Sequence, residues 1–109
     1  MSEVQAKLYQ VKKISLIAKG TDVLVREYEL GPGESIPWHH HTQVTDHYYS
    51  LEGVVLIETR APAARHEVNP GESATVTPPT AHRVSNSSGN PCRFLLIQGV
   101  GQYDFVKEE

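Results

Sequence analysis

The chain has one cysteine, Cys92, so it cannot close an internal disulfide, and a reducing, cytoplasmic setting is expected. It has no basic run. Ten Lys and Arg face 13 Asp and Glu, for a net charge of −3 with histidine neutral, which argues against a nucleic-acid or anionic-membrane partner. No apolar stretch approaches a membrane span, and the opening MSEVQAKLYQ has no signal-peptide core. Helix formers are scarce: Ala and Leu total 15, whereas Val, Ile and Thr total 24. The best helical candidate, Ala6 to Lys19, is crowded with β-branched residues and lacks a three-to-four residue apolar stripe. No close repeat of solenoid length occurs. Gly99-Val100-Gly101 lacks the third glycine and following helix of a dinucleotide fingerprint.

What is present reads as one all-β domain. A chain of 109 residues buries roughly two-thirds of its unfolded surface, enough for one core and one pocket. The 39% hydrophobic and 21% charged fractions exclude wholesale disorder. Eight Gly and seven Pro are scattered along the chain, as turns between short strands require. The expected strands are Lys7–Ala18, Asp22–Leu30, Ile36–Thr42, Asp46–Leu51, Val54–Arg60, Arg65–Asn69, Ser73–Thr77, His82–Ser85, Cys92–Gly99 and a short piece at Gln102–Val106. Ala61–Arg65 reads as a loop and Lys107-Glu108-Glu109 as a solvated tail. About ten such strands suit a sandwich or barrel.

Four of the six histidines lie between residues 39 and 47. Alternate side chains of a strand share a face, so His39 and His41 point one way and Trp38 and His40 the other. Two imidazoles at i and i+2 can grip one metal ion, with a third ligand from another strand. His82, which opens a strand after Pro78-Pro79, is the best candidate, and Asp46 offers a carboxylate. Imidazoles with one carboxylate suit Fe, Mn, Ni, Co, Cu or Zn better than Ca or Mg. Solvated surface histidines are the competing reading.

The spacing resembles the two signatures of the cupin superfamily. The first runs Gly, five residues, His-x-His, three or four residues, Glu, six residues, Gly. Gly33, His39, His41, Asp46 and Gly53 match it, with Asp46 in place of Glu. The second runs Gly, five residues, Pro-x-Gly, two residues, His, three residues, Asn. Gly71, His82 and Asn86 match it, with Thr77-Pro78-Pro79 in place of Pro-x-Gly. The resemblance implies a jelly-roll barrel, or double-stranded β-helix, spanning residues 1–109. Its implied metal ligands are His39, His41, Asp46 and His82. Asp46 is one methylene shorter than Glu, so three roles stay open: direct ligand, ligand through water, or partner that orients a histidine. His47 is its neighbour, but parity turns it to the opposite face.

Tyr48 and Ser50 share a face with Asp46 and are candidates for the substrate pocket. Tyr48 could equally be core, its hydroxyl satisfied by a backbone group. Parity leaves the inward face of Asp22–Leu30 open: an inward Arg26 would favour an anionic substrate, whereas an outward one, the expected case, would be an ordinary surface charge. His66 is expected at the surface, and nothing makes Cys92 a nucleophile. The resemblance further implies a homodimer, with Trp38, Leu8, Val11 and Ile14 at its interface; packing within the chain is the alternative. Three functions remain in view. One is a metal-dependent enzyme, dioxygenase- or isomerase-like, acting on a small oxygenated organic molecule. The second is a small-molecule binding or sensor module without turnover, metal-free or not. The third is a structural subunit.

Overall fold

A computed structural model describes residues 11–108 as two five-stranded antiparallel sheets, with no helix among the described residues. The strands are β1 (Lys13–Lys19), β2 (Val23–Leu30), β3 (Ser35–His40), β4 (Thr45–Glu52), β5 (Val55–Arg60), β6 (Ala63–Val68), β7 (Ser73–Val76), β8 (His82–Ser85), β9 (Cys92–Gly99) and β10 (Val106–Lys107). One sheet runs β1-β2-β9-β4-β7 and the other β10-β3-β8-β5-β6. This is the double-stranded β-helix expected from the sequence. No helix among the described residues is long and apolar enough to cross a membrane.

The interior is filled by strict alternation. On β2, Leu24, Arg26, Tyr28 and Leu30 point inward; on β9, Cys92, Phe94, Leu96 and Gln98 do. The two strands pair directly, with Tyr28 opposite Phe94 and their rings stacked at 5.3 Å. Around them pack Leu30, Ile36, Val55, Ile57, Val68, Val76 and Val84, all buried. The opposite end of the same interior is polar: Arg26, His39, His41, Asp46, His82 and Gln98 are each at most 3% exposed.

Gly53 closes the β4–β5 turn at a positive φ of 70°, and a Cβ there would lie 2.8 Å from the Pro91 carbonyl oxygen. That turn therefore tolerates glycine alone, which is why glycine stands at this point of the first signature.

Several expected boundaries are corrected. Ala61–Arg65 is not a loop: Ala63 and Ala64 already pair with Arg60 and Thr59, so only Ala61-Pro62 turns the chain between β5 and β6. Gln102–Val106 is not a strand. Residues 101–105 run irregularly and only Val106 and Lys107 join β3. The first strand starts at Lys13, and its expected beginning at Lys7 lies outside the described residues, as does Leu8. Val11 and Ile14 pack against the chain's own core, and the Arg60 guanidinium sits 4.1 Å above the Trp38 ring.

Candidate metal centre

Three strands and one strand end converge on the polar half of the barrel. Pro37 has no N–H to give the ladder, and the pairing of β3 with β8 shifts register between Ile36 and His39. The shift sets His39 directly opposite His82. Their ring centroids are 4.2 Å apart. His41 lies one residue past the end of β3 and is buried like His39, whereas His40 turns outward to Glu108. Asp46, fully buried on β4, faces Val76 and Gln98 across its two neighbours. One ligand atom from each of His39, His41, Asp46 and His82 fits within 4.8 Å of all the others. His47, on the outer side of β4, is absent from this group and lies 3.5 Å from the Thr75 hydroxyl.

The three rings are held alike. Each engages a backbone carbonyl through Nδ1: His39 with Pro37 at 2.7 Å, His41 with Asp104 at 2.5 Å and His82 with Thr80 at 2.9 Å. Carbonyls only accept, so Nδ1 carries the proton and Nε2 is turned inward. There Nε2 of His82 and of His41 stand 2.9 and 3.2 Å from Asp46 Oδ2. Two ring nitrogens whose protons are committed elsewhere thus meet a carboxylate oxygen. A metal ion bound between them would satisfy both ring nitrogens and the carboxylate at once. The donor set therefore fits a divalent transition metal: three Nε2 atoms of fixed tautomer and one carboxylate.

Ionisation follows the same geometry. Burial raises the Asp46 carboxyl, but hydrogen bonds and charge from His41 and His82 outweigh it and hold the group well below its usual range. Burial lowers His41, yet its bond to Asp46 and the nearby carboxylate charge win and raise it. His39 lacks such a bond; burial, then the neighbouring His82 and His41, push it down to about 3.

Asp46 is also gripped from both sides. Tyr48 donates its hydroxyl to Oδ2 at 2.6 Å, and Gln98 donates Nε2 to Oδ1 at 2.9 Å. The Tyr48 hydroxyl is thus satisfied by a carboxylate, not by the backbone group expected of a core tyrosine. Ser50 is buried further along β4, and its hydroxyl donates to the Gly53 carbonyl at the turn. His66 is exposed, as expected. Burial pushes the Cys92 thiol up to about 11, which leaves no thiolate nucleophile.

Several residues near the cluster were either expected elsewhere or not singled out in the sequence. Arg26, expected outside, is fully buried, and its Nη2 donates to Gln98 Oε1 at 2.5 Å. Gln98 thus links the guanidinium to Asp46. Its signal was the apolar alternation Cys92, Phe94, Leu96, which places residue 98 inside. Tyr103 and Phe105 come from the irregular segment 101–105: Phe105 stacks on His39 at 4.4 Å, and Tyr103 lies 5.5 Å from the His41 ring. Asp104, between them, accepts from the Thr42 amide and hydroxyl and so clips the segment over the cluster. Beside it opens a cavity of about 440 Å³, lined by residues 19–24, Gln98 and residues 101–103.

The comparisons agree with this architecture. A family model described as cupin domain matches residues 26–98. A Klebsiella pneumoniae protein with a double-stranded β-helix domain is 20% identical, with a TM-score of 0.75 over 92% of this chain and 82% of that one. A Thermus thermophilus protein is 28% identical, with a TM-score of 0.70 over 84% of this chain and 88% of that one. An oxalate oxidase in complex with the substrate analogue glycolate is 16% identical, with a TM-score of 0.74 over 86% of this chain and 53% of that one, so this chain spans about half its length. No curated protein matches significantly. With both signatures in the barrel and the family model covering most of its strands, the chain belongs to the cupin domain family.

Proposed function

We propose that His39, His41 and His82 through Nε2, with the Asp46 carboxylate, hold a divalent transition metal from the group Fe, Mn, Ni, Co, Cu and Zn. We further propose that the chain uses it as an enzyme on a small oxygenated organic molecule. The observation that carries the reading is the common orientation of the three rings, each with Nδ1 held by a backbone carbonyl and Nε2 turned toward one carboxylate. A metal at this point would supply Lewis acidity or an open position for an oxygen ligand. The protein's own part is to orient the ligands. Tyr48 and Gln98 fix the carboxylate, and Phe105 and Tyr103 cover the rings and exclude bulk water. Tyr48 belongs to the reacting pocket in this reading through its bond to Asp46, and Ser50 supports the turn behind it. Dioxygenase-like and isomerase-like chemistry both fit such a site. The reading includes a cytoplasmic homodimer.

Elemental analysis of the purified protein tests the site. Wild type should carry about one transition-metal ion per chain. His39→Ala, His41→Ala and His82→Ala should each lose most of it, and Asp46→Ala should lose less. Equal trace metal in all five proteins contradicts the assignment.

A further inference from the structure

We propose that Arg26 and Tyr103 form a carboxylate-binding subsite beside the metal cluster, so that the molecule taken by this barrel carries a carboxylate at one end and an oxygen donor at the other. The second half of this statement rests on the metal reading; the subsite itself does not.

The protein leaves a small group of buried polar atoms unpaired. Among the described residues, the buried side-chain nitrogens and oxygens without a hydrogen-bond partner are Arg26 Nε, Arg26 Nη1 and the Tyr103 hydroxyl. All three belong to two side chains in contact, the guanidinium carbon lying 4.8 Å from the Tyr103 ring centroid. Buried polar groups are ordinarily satisfied, so a clustered exception calls for a partner from outside the chain, a water, an ion or a ligand. Arg26 spends Nη2 on Gln98, which leaves the Nε and Nη1 donors for another acceptor. Each of these two donors shares an edge of the guanidinium with Nη2, which has a second hydrogen, and such an edge accommodates a carboxylate. The Tyr103 hydroxyl lies near enough to accept from the guanidinium, and its own proton is left for the same group.

Charge points the same way. Arg26 is fully buried, and the side chains it touches are neutral: the Gln98 amide oxygen, the Tyr28 ring and Tyr103. The single buried carboxylate among the described residues, Asp46, is already engaged by His41, His82, Tyr48 and Gln98. An isolated buried cation is costly and calls for a counter-charge. With a divalent ion bound, the site's formal charges would be +2 from the ion, +1 from Arg26 and −1 from Asp46, so an anionic ligand improves the balance. Gln98 sets the spacing, because one amide touches both the guanidinium and Asp46. Gln98 and Tyr103, the two neighbours of the guanidinium, line the cavity of about 440 Å³, a size for a small ligand, whereas Arg26 is fully buried and outside that lining. One guanidinium and one hydroxyl are too few donors for a phosphate dianion, which favours carboxylate over phosphate.

The test measures calorimetric binding of lactate and of its neutral counterpart lactamide to the metal-loaded protein, with metal content determined on the same samples. Lactate should bind at least about tenfold tighter than lactamide, and inorganic phosphate more weakly than lactate. Arg26→Met should abolish the preference for lactate while metal content stays at the wild-type level. Tyr103→Phe keeps the ring over Arg26 and should weaken lactate several-fold, so the proposal stays testable if Arg26→Met does not fold. Equal affinities for lactate and lactamide, no saturable lactate binding, or an undiminished preference in a folded Arg26→Met overturn the subsite. Arg26-dependent lactate binding by a protein without metal upholds the subsite and overturns the metal reading instead.

Discussion

At the scale of single residues, the site is a problem of tautomers. An imidazole binds a metal only through a nitrogen without a proton, and here three backbone carbonyls decide which nitrogen that is. His39 differs from His41 because it makes no hydrogen bond to Asp46, whose charge only partly offsets its burial, and its pKa falls to about 3 from 6.5. The consequence for stability has a definite sign. In the unfolded chain His39 takes up a proton below pH 6.5, whereas in the folded chain it resists until about pH 3. The unfolded state therefore gains, and stability falls, as pH drops through that window. In chelator-treated protein this loss should be on the order of a few kcal/mol. His39→Gln should flatten that part of the profile. Urea titrations at pH 7, 5 and 4 measure it, and a profile equally steep in the variant would refute the assignment.

At the scale of elements, turns and parity determine what reaches the site. The β4–β5 turn brings Gly53 against Pro91 and Cys92, with φ at 70° and no room for a Cβ. Gly71, at φ 86°, has open space where its Cβ would go. Gly53→Ala should therefore cost more, about 2 kcal/mol or above, while Gly71→Ala should cost about 1 kcal/mol, the backbone part alone. Comparable denaturation midpoints for the two variants would show that the close approach at Gly53 is not limiting. The proposed metal ligands on these elements were legible in the sequence because period-two alternation and fixed spacing specify a shared face. Arg26 was not. On β2 the face it shares with Leu24, Tyr28 and Leu30 competes with one carrying Val23, Val25, Glu27 and Glu29, and a charge ordinarily lies outside. Tyr103 and Phe105 gave no periodic signal, since their irregular segment is held by contacts with residues about 60 positions away.

At the scale of the whole molecule, the barrel interior is divided. One end is an apolar packing of Tyr28, Leu30, Phe94 and the aliphatic residues around them; the other holds every buried charge among the described residues. Composition announced the strands, and the two signatures announced the barrel, but neither could announce this division, which depends on which strand lies beside which. Its order β1-β2-β9-β4-β7 puts β9 between β2 and β4, and so Gln98 between Arg26 and Asp46. The apolar end supplies the stability that lets the polar end keep charges out of water. X-ray absorption on the metal-loaded protein tests the central claim most directly, because it reads the ligands themselves. The account predicts three imidazole nitrogens with at least one oxygen around the ion, falling to two imidazoles in the fraction of His82→Ala that holds an ion when loaded with excess metal. An ion surrounded by oxygen alone, or one whose imidazole count is unchanged in that variant, would contradict it.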